Sequence, residues 1–174
     1  MTNPSRTRRN SFAHFNAARP APCGLPPANA EVLKRAGLIL AITAWETYVE
    51  DRAREALEAS LAAMAGSPVA QFLRNRFDDD MKRFHNPNSD KTAKLFKDYF
   101  GKDVTTAWTC NPGGTLQARK NLDKWVQRRG EAAHRSPIAS TGKPSAPHLI
   151  TREELQKLIN FLKTLVIDTE ATPL

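Results

Sequence analysis

Apolar residues recur along this chain at intervals of three and four, and no stretch of useful length alternates. That pattern admits helices and excludes a sheet-based fold. The longest run, Leu38, Ile42, Trp45, Val49, Ala53 and Leu57, lines one side of a helix expected from Ala30 to about Ala65, with Asn29 as its N-cap and Gly66 as its stop. Ser67-Pro68 restarts the chain, Ser as cap and Pro at the first helical position, for a second helix to about Phe84. Asn86-Pro87-Asn88 reads as a turn, after which Asn88 or Ser89 caps a short helix closed by Gly101. Residues 101–114 read as a loop. Within it Trp108 is either a core plug or an aromatic platform for stacking on a base. Thr151 with Glu154 forms a capping box ahead of Leu155, Leu158, Ile159, Leu162 and Val166, the most regular helical stripe in the chain. The fold class that follows is all-α, a bundle of four to five main helices.

The expected organisation is one helical domain over 30–170 preceded by an arm over 1–29. Pro20, Pro22, Pro26 and Pro27 break regular structure in that arm, which reads as disordered apart from a short helix around Ser11–Ala18. Residues 136–150, with Pro137, Gly142, Pro144 and Pro147, read as a second polar loop long enough to act as a flap. With 174 residues and 40% hydrophobic content the chain can bury one core. Cys23 and Cys110 form no metal-ligand or redox pattern, the N-terminus has no apolar leader, and the run from Ala36 to Trp45 is too short to span a bilayer. The chain therefore reads as cytoplasmic, with no membrane partner. Asp78-Asp79-Asp80 with His85 does not read as a metal site, because consecutive carboxylates fan out around a helix; no metal and no cofactor is expected.

The net charge of +8 is unevenly placed. The arm carries Arg6, Arg8, Arg9 and Arg19 with no acid, and residues 114–135 carry Arg119, Lys120, Lys124, Arg128, Arg129 and Arg135 against Asp123 and Glu131. Excess charge gathered on an arm and one helix suits a phosphate-backbone partner, although solubility alone also accounts for it. In that helix Ala118, Leu122, Trp125 and Ala132 form the apolar stripe, and Arg129 falls inside it. A guanidinium so placed requires an acid, a cleft or a contact with another chain. His134 lies instead on the polar row of Lys124, Gln127 and Glu131. On a regular helix, positions 129 and 134 point about 140° apart. They converge only if the helix distorts near Gly130 or if two copies of the segment pool their side chains across a dimer cleft.

The string Arg129-Gly130-Glu131-Ala132-Ala133-His134 resembles the Arg-x(4–6)-His signature of the HEPN superfamily of helical ribonucleases, and Trp125-Val126-Gln127-Arg128-Arg129 resembles its usual approach. Ala44-Trp45-Glu46-Thr47-Tyr48-Val49-Glu50-Asp51 and Leu155-Gln156-Lys157-Leu158-Ile159-Asn160-Phe161-Leu162 are similar to the RiboL-PSP branch. Where the family commonly has a polar residue directly after the arginine, often Asn, this chain has Gly130.

The resemblance implies a metal-independent endoribonuclease that works as a homodimer, in a toxin–antitoxin or phage-defence setting that would supply an antitoxin or inhibitor protein. Arg129 and His134 would be catalytic, the fork of Arg129 on the phosphate and His134 as base or acid. Glu131 either steadies His134 or pairs with Arg135. Glu46 either orients Arg129 or joins a surface ladder with Glu50 and Arg54. Arg128, Arg135 and Lys124 would attract the RNA backbone. The alternatives are a non-catalytic HEPN-like module that binds RNA or protein, with Gly130 marking lost activity, and a DNA-binding helical domain.

Overall fold

The computed structural model describes residues 28–109, 112–134 and 150–174, with the side chains of 28–31 and 134 excepted. Five α-helices account for most of them: α1 (Ala28–Leu61), α2 (Pro68–Met81), α3 (Ser89–Phe100), α4 (Gly114–His134) and α5 (Arg152–Glu170); no strand occurs among the described residues. The arm's short helix, the loop up to Leu149, Arg135 and both cysteines lie outside the described residues.

The long helix is the axis of the bundle. α1 touches all four other helices, and its stripe Leu38, Ile42, Trp45, Val49, Ala53 and Leu57 is buried. Burying side chains of this size contributes about 1.5–3 kcal/mol apiece, which is why a stripe recurring every three to four residues fixes where this helix lies. α1 begins at Ala28, so Asn29 lies within the helix and is not its cap. At the other end a 3-10 turn (Ala62–Met64) leads into Gly66, whose φ of +82° reverses the chain at no steric cost.

The remaining boundaries are set by local chemistry. Ser67 accepts a hydrogen bond from the Ala70 N–H at 3.1 Å, with Pro68 at the first position of α2. α2 ends at Met81, three residues before the expected Phe84, because the chain then tightens into bonds from the Arg83 N–H to Asp80 O and the Phe84 N–H to Met81 O. Asn88, not Ser89, caps α3, accepting from the Lys91 N–H at 2.9 Å, and Gly101 closes that helix at φ +69°. The capping box of α5 is complete: Thr151 Oγ1 accepts from the Glu154 N–H, and Glu154 Oε2 accepts from the Thr151 N–H.

Trp108 follows a 3-10 turn (Val104–Ala107) and is a core plug with no exposed face for a base. Its Nε1–H donates to Thr169 Oγ1 at 3.0 Å, and its ring meets that of Trp45 edge-on at 5.9 Å. No helix among the described residues is long and apolar enough to cross a membrane.

The acids of α1 and α2 are distributed differently from the local reading. Arg54 does not join a ladder with Glu50: it donates to Asp78 of α2 at 2.7 Å and stacks over Phe77. Asp79 takes Lys82, and Asp80 takes the Tyr99 hydroxyl and Arg76, so the three consecutive carboxylates do diverge to separate partners. Glu50 is left partly buried, and that burial, with Glu46 and Asp51 nearby, holds its carboxyl above the ordinary carboxylate value. The folded chain therefore keeps this proton to higher pH than the unfolded one, so its effect on stability turns unfavourable as pH rises through the raised value. Glu50→Gln is expected to melt above the parent protein near about pH 7, with the difference shrinking toward about pH 4. Equal shifts at both pH values in thermal melts would contradict this.

Candidate active site

The candidate centre is assembled on α4, and the first requirement is that its stripe be real. Ala118, Leu122 and Ala132 are buried, Trp125 is partly buried, and Arg129 lies among them at intermediate exposure. α4 runs unbroken through Gly130 to His134. Positions 129 and 134 thus keep the angular separation of about 140° that a regular helix imposes. Of the two routes to convergence, distortion at Gly130 is not taken in this chain. The side chain of His134 lies outside the described residues.

Arg129 is received by a turn that the sequence reading treated as a connector. Its Nη1–H donates to Asn86 Oδ1 at 2.5 Å, while its Nε is buried with no hydrogen-bond partner. Asn86 sits at φ +52°, a left-handed conformation that Asn tolerates better than most residues. Neighbours on α1 hold the turn from two sides. Trp45 Nε1–H donates to Pro87 O at 3.1 Å, and the Asn86 N–H donates to Glu46 Oε1 at 3.2 Å. From α4 itself, Asp123 accepts from both the N–H and the hydroxyl of Ser89, at 2.8 and 3.0 Å, tying the first turn of α3 to the helix that carries Arg129.

The link between Glu46 and Arg129 is therefore indirect. The carboxylate fixes the backbone of Asn86, and Asn86 takes the guanidinium; no ion pair joins Arg129 to a carboxylate among the described residues. Sequence reasoning gives Asn86 only as part of a turn, His85 only as a discounted metal ligand and Asp123 only as a countercharge, and assigns none of them to this centre. The signal for Asn86 was present, since Asn is enriched at left-handed positions, but its partners lie about forty residues away on either side.

The other basic residues divide. Arg128 points across to α5, where its fork closes on Glu154 at 3.0 and 3.3 Å, and its guanidinium lies 4.8 Å from the Trp125 ring centroid. That contact, followed by the Thr151 N–H, holds the Glu154 carboxyl below the ordinary carboxylate value. Arg128 thus has a structural partner where an RNA contact was expected. Lys124 is exposed, as a backbone contact requires. Glu131 accepts from Gln127 Nε2 at 3.4 Å, and Arg135 lies outside the described residues.

A match to the RiboL-PSP-HEPN family model covers residues 6–171. The chain belongs to the RiboL-PSP-HEPN family. Comparison with curated proteins and with solved structures gave no match. The family match spans all five helices, including α1, α4 and α5, which carry the three resembling segments.

Gly130 directly follows Arg129 on α4, and its surroundings are informative. A Cβ added there would meet nothing within 4 Å, so packing does not require glycine at this position. Gly130→Ala is expected to raise stability by about 0.8–1 kcal/mol through helix propensity alone. An unchanged or lower denaturant midpoint would show that the position carries strain invisible in its contacts.

Proposed function

We propose that this RiboL-PSP-HEPN protein is a metal-independent endoribonuclease acting as a homodimer, and that it serves as a toxin or phage-defence effector. The observation that carries the reading is the state of Arg129. A guanidinium lodged in the apolar stripe of α4 is held by a neutral amide, and no carboxylate neutralises it among the described residues. Such a fork retains its affinity for a phosphate, where two parallel hydrogen bonds and a full charge are gained together.

The chemistry needs three groups. One removes the 2′-hydroxyl proton, one protonates the leaving 5′ oxygen, and a cation stabilises charge on the phosphorane. Arg129 supplies the cation, and the imidazole of His134 can take up or give a proton near neutral pH. The unbroken course of α4 supports the dimer: a second α4 is the remaining way to bring an imidazole from position 134 beside a guanidinium from position 129. Lys124 and the basic arm add non-specific attraction for the RNA backbone.

The test is incubation of purified protein with total RNA in EDTA, followed by end-group analysis. Fragments ending in 2′,3′-cyclic phosphate are expected; intact RNA at all concentrations would remove the nuclease reading. Gly130 favours one second reading, a non-catalytic RNA- or protein-binding module, since no side chain follows the motif arginine. That module would retain RNA in a gel-shift assay and leave it uncut.

A further inference from the structure

The turn that receives Arg129 also brings an imidazole into the same cluster. His85 directly precedes Asn86, and its Nδ1 lies 3.6 Å from Glu46 Oε1, the oxygen that accepts the Asn86 N–H. One carboxylate oxygen thus joins the His85 ring to the residue on which the Arg129 guanidinium rests. The two ends of the pair differ in exposure: the Glu46 side chain is 15% exposed and that of His85 is 72% exposed. The carboxylate is fixed by the fold, while the ring stands where a bound strand can reach it. Nδ1 faces that carboxylate at 3.6 Å, within ion-pair reach though beyond hydrogen-bond distance, and Nε2 is left for a ligand.

Charged groups face this ring from three elements. Glu46 and Glu50 approach from α1, the Glu50 carboxyl feeling the His85 charge. Arg129 of α4 is one residue away through Asn86. Lys91 of α3 places its Nζ on the His85 carbonyl oxygen at 2.6 Å. Two carboxylates and two cations thus surround an exposed imidazole. The three aspartates of α2 do not compete for it, having Arg54, Lys82, Arg76 and Tyr99 as partners.

We propose that Glu46 and His85 form a carboxylate–imidazole pair that supplies the general acid of the Arg129 centre, an assignment that rests on the ribonuclease reading above. As the 2′ oxygen, its proton taken by His134, forms its bond to phosphorus, the bond from phosphorus to the 5′ oxygen breaks. The Nε2 proton of the His85 imidazolium passes to that oxygen. The products are a 2′,3′-cyclic phosphate and a 5′-hydroxyl; the His134 imidazolium then releases its proton to water and the neutral His85 imidazole takes one up, which resets both groups with no net change in protons. Each centre then draws its acid from the α1-held turn and its base from α4.

The experiment compares the full-length parent protein with His85→Ala and His134→Ala in EDTA, on single-stranded RNA and on the same RNA with sulfur replacing the bridging 5′ oxygen at one position. A sulfur leaving group needs no proton. His85→Ala is expected to cut ordinary RNA about 10²–10⁴-fold more slowly, to lose the alkaline limb of the pH–rate profile, and to cut the sulfur-bridged RNA at close to the parental rate. His134→Ala is expected to be slow on both. His85 is largely exposed, so its loss should leave the melting curve in place, which circular dichroism checks. A His85→Ala protein that cuts ordinary RNA at the parental rate, or that is equally slow on both substrates, overturns the acid assignment and leaves the nuclease reading standing. A parent protein that cuts neither RNA overturns the nuclease reading, and the acid assignment falls with it.

Discussion

Arg129→Ala and His134→Ala are each expected to slow RNA cleavage by about two orders of magnitude or more, and for different reasons. Removing the guanidinium takes away charge stabilisation on the phosphorane, an effect of the size seen for a single oxyanion donor, about 10²–10³-fold. Removing the imidazole takes away proton transfer, about 10²–10⁴-fold. The two separate in binding. Arg129→Ala should also weaken affinity for an uncleavable 2′-O-methyl RNA, because its fork meets the phosphate before chemistry begins, whereas His134→Ala should bind that RNA about as the parent does. Arg129→Lys adds a finer test, since it retains charge and loses the planar fork; it should restore part of the binding and little of the rate. Cleavage at parental rate by either alanine variant would remove that residue from the site.

The largest effect on stability is expected at Trp108. It is fully buried, hydrogen-bonded to Thr169 at 3.0 Å and set edge-on against Trp45. Trp108→Ala removes a whole indole from a close-packed interior that relaxes only partly, at a cost of about 3–5 kcal/mol. Against a total stability of about 5–15 kcal/mol for a domain of ordinary size, this leaves a substantial unfolded fraction in warm solution. Trp108→Phe retains most of the volume and loses the bond to Thr169, so about 1 kcal/mol is expected from that bond. Urea midpoints for the three proteins should fall in the order parent, Phe, Ala. An alanine variant with a parental midpoint would mean that the indole does not fill the core.

The two tryptophans also show how far a sequence can be read. Helices and caps were legible wherever the deciding chemistry lies within four residues. Ser67 with Pro68, Thr151 with Glu154 and the glycine closing α3 all act within one turn, and the apolar stripe of α1 repeats a single local rule. For Trp108, size and apolar character favour a plug without excluding a stacking platform, and its complete burial decides between them. Legibility failed where a local partner lost to a distant one. Glu50 and Arg54 are one turn apart on α1, yet Arg54 prefers Asp78, which α2 presents with the Phe77 ring beneath it. Arg128 looked like a surface cation beside Arg129, yet Glu154 reaches it from α5. At the centre, sequence spacing brought out Arg129 and Glu46 but not the residue between them. Asn86 matters because Trp45 and Glu46 pin a left-handed turn beneath α4, and no spacing rule encodes a meeting of three separate segments.

Glu154 caps α5, clamps Arg128 and stands four residues beyond Ile150, which is buried in the core. The chain therefore leaves α4 at one fixed place and re-enters the bundle at another, whatever lies in residues 135–149. Doubling the length of such a connection costs only about 0.6 kcal/mol in closure entropy. A change of length between positions 135 and 149 is therefore cheap, and it leaves the guanidinium of Arg129 on its seat at Asn86.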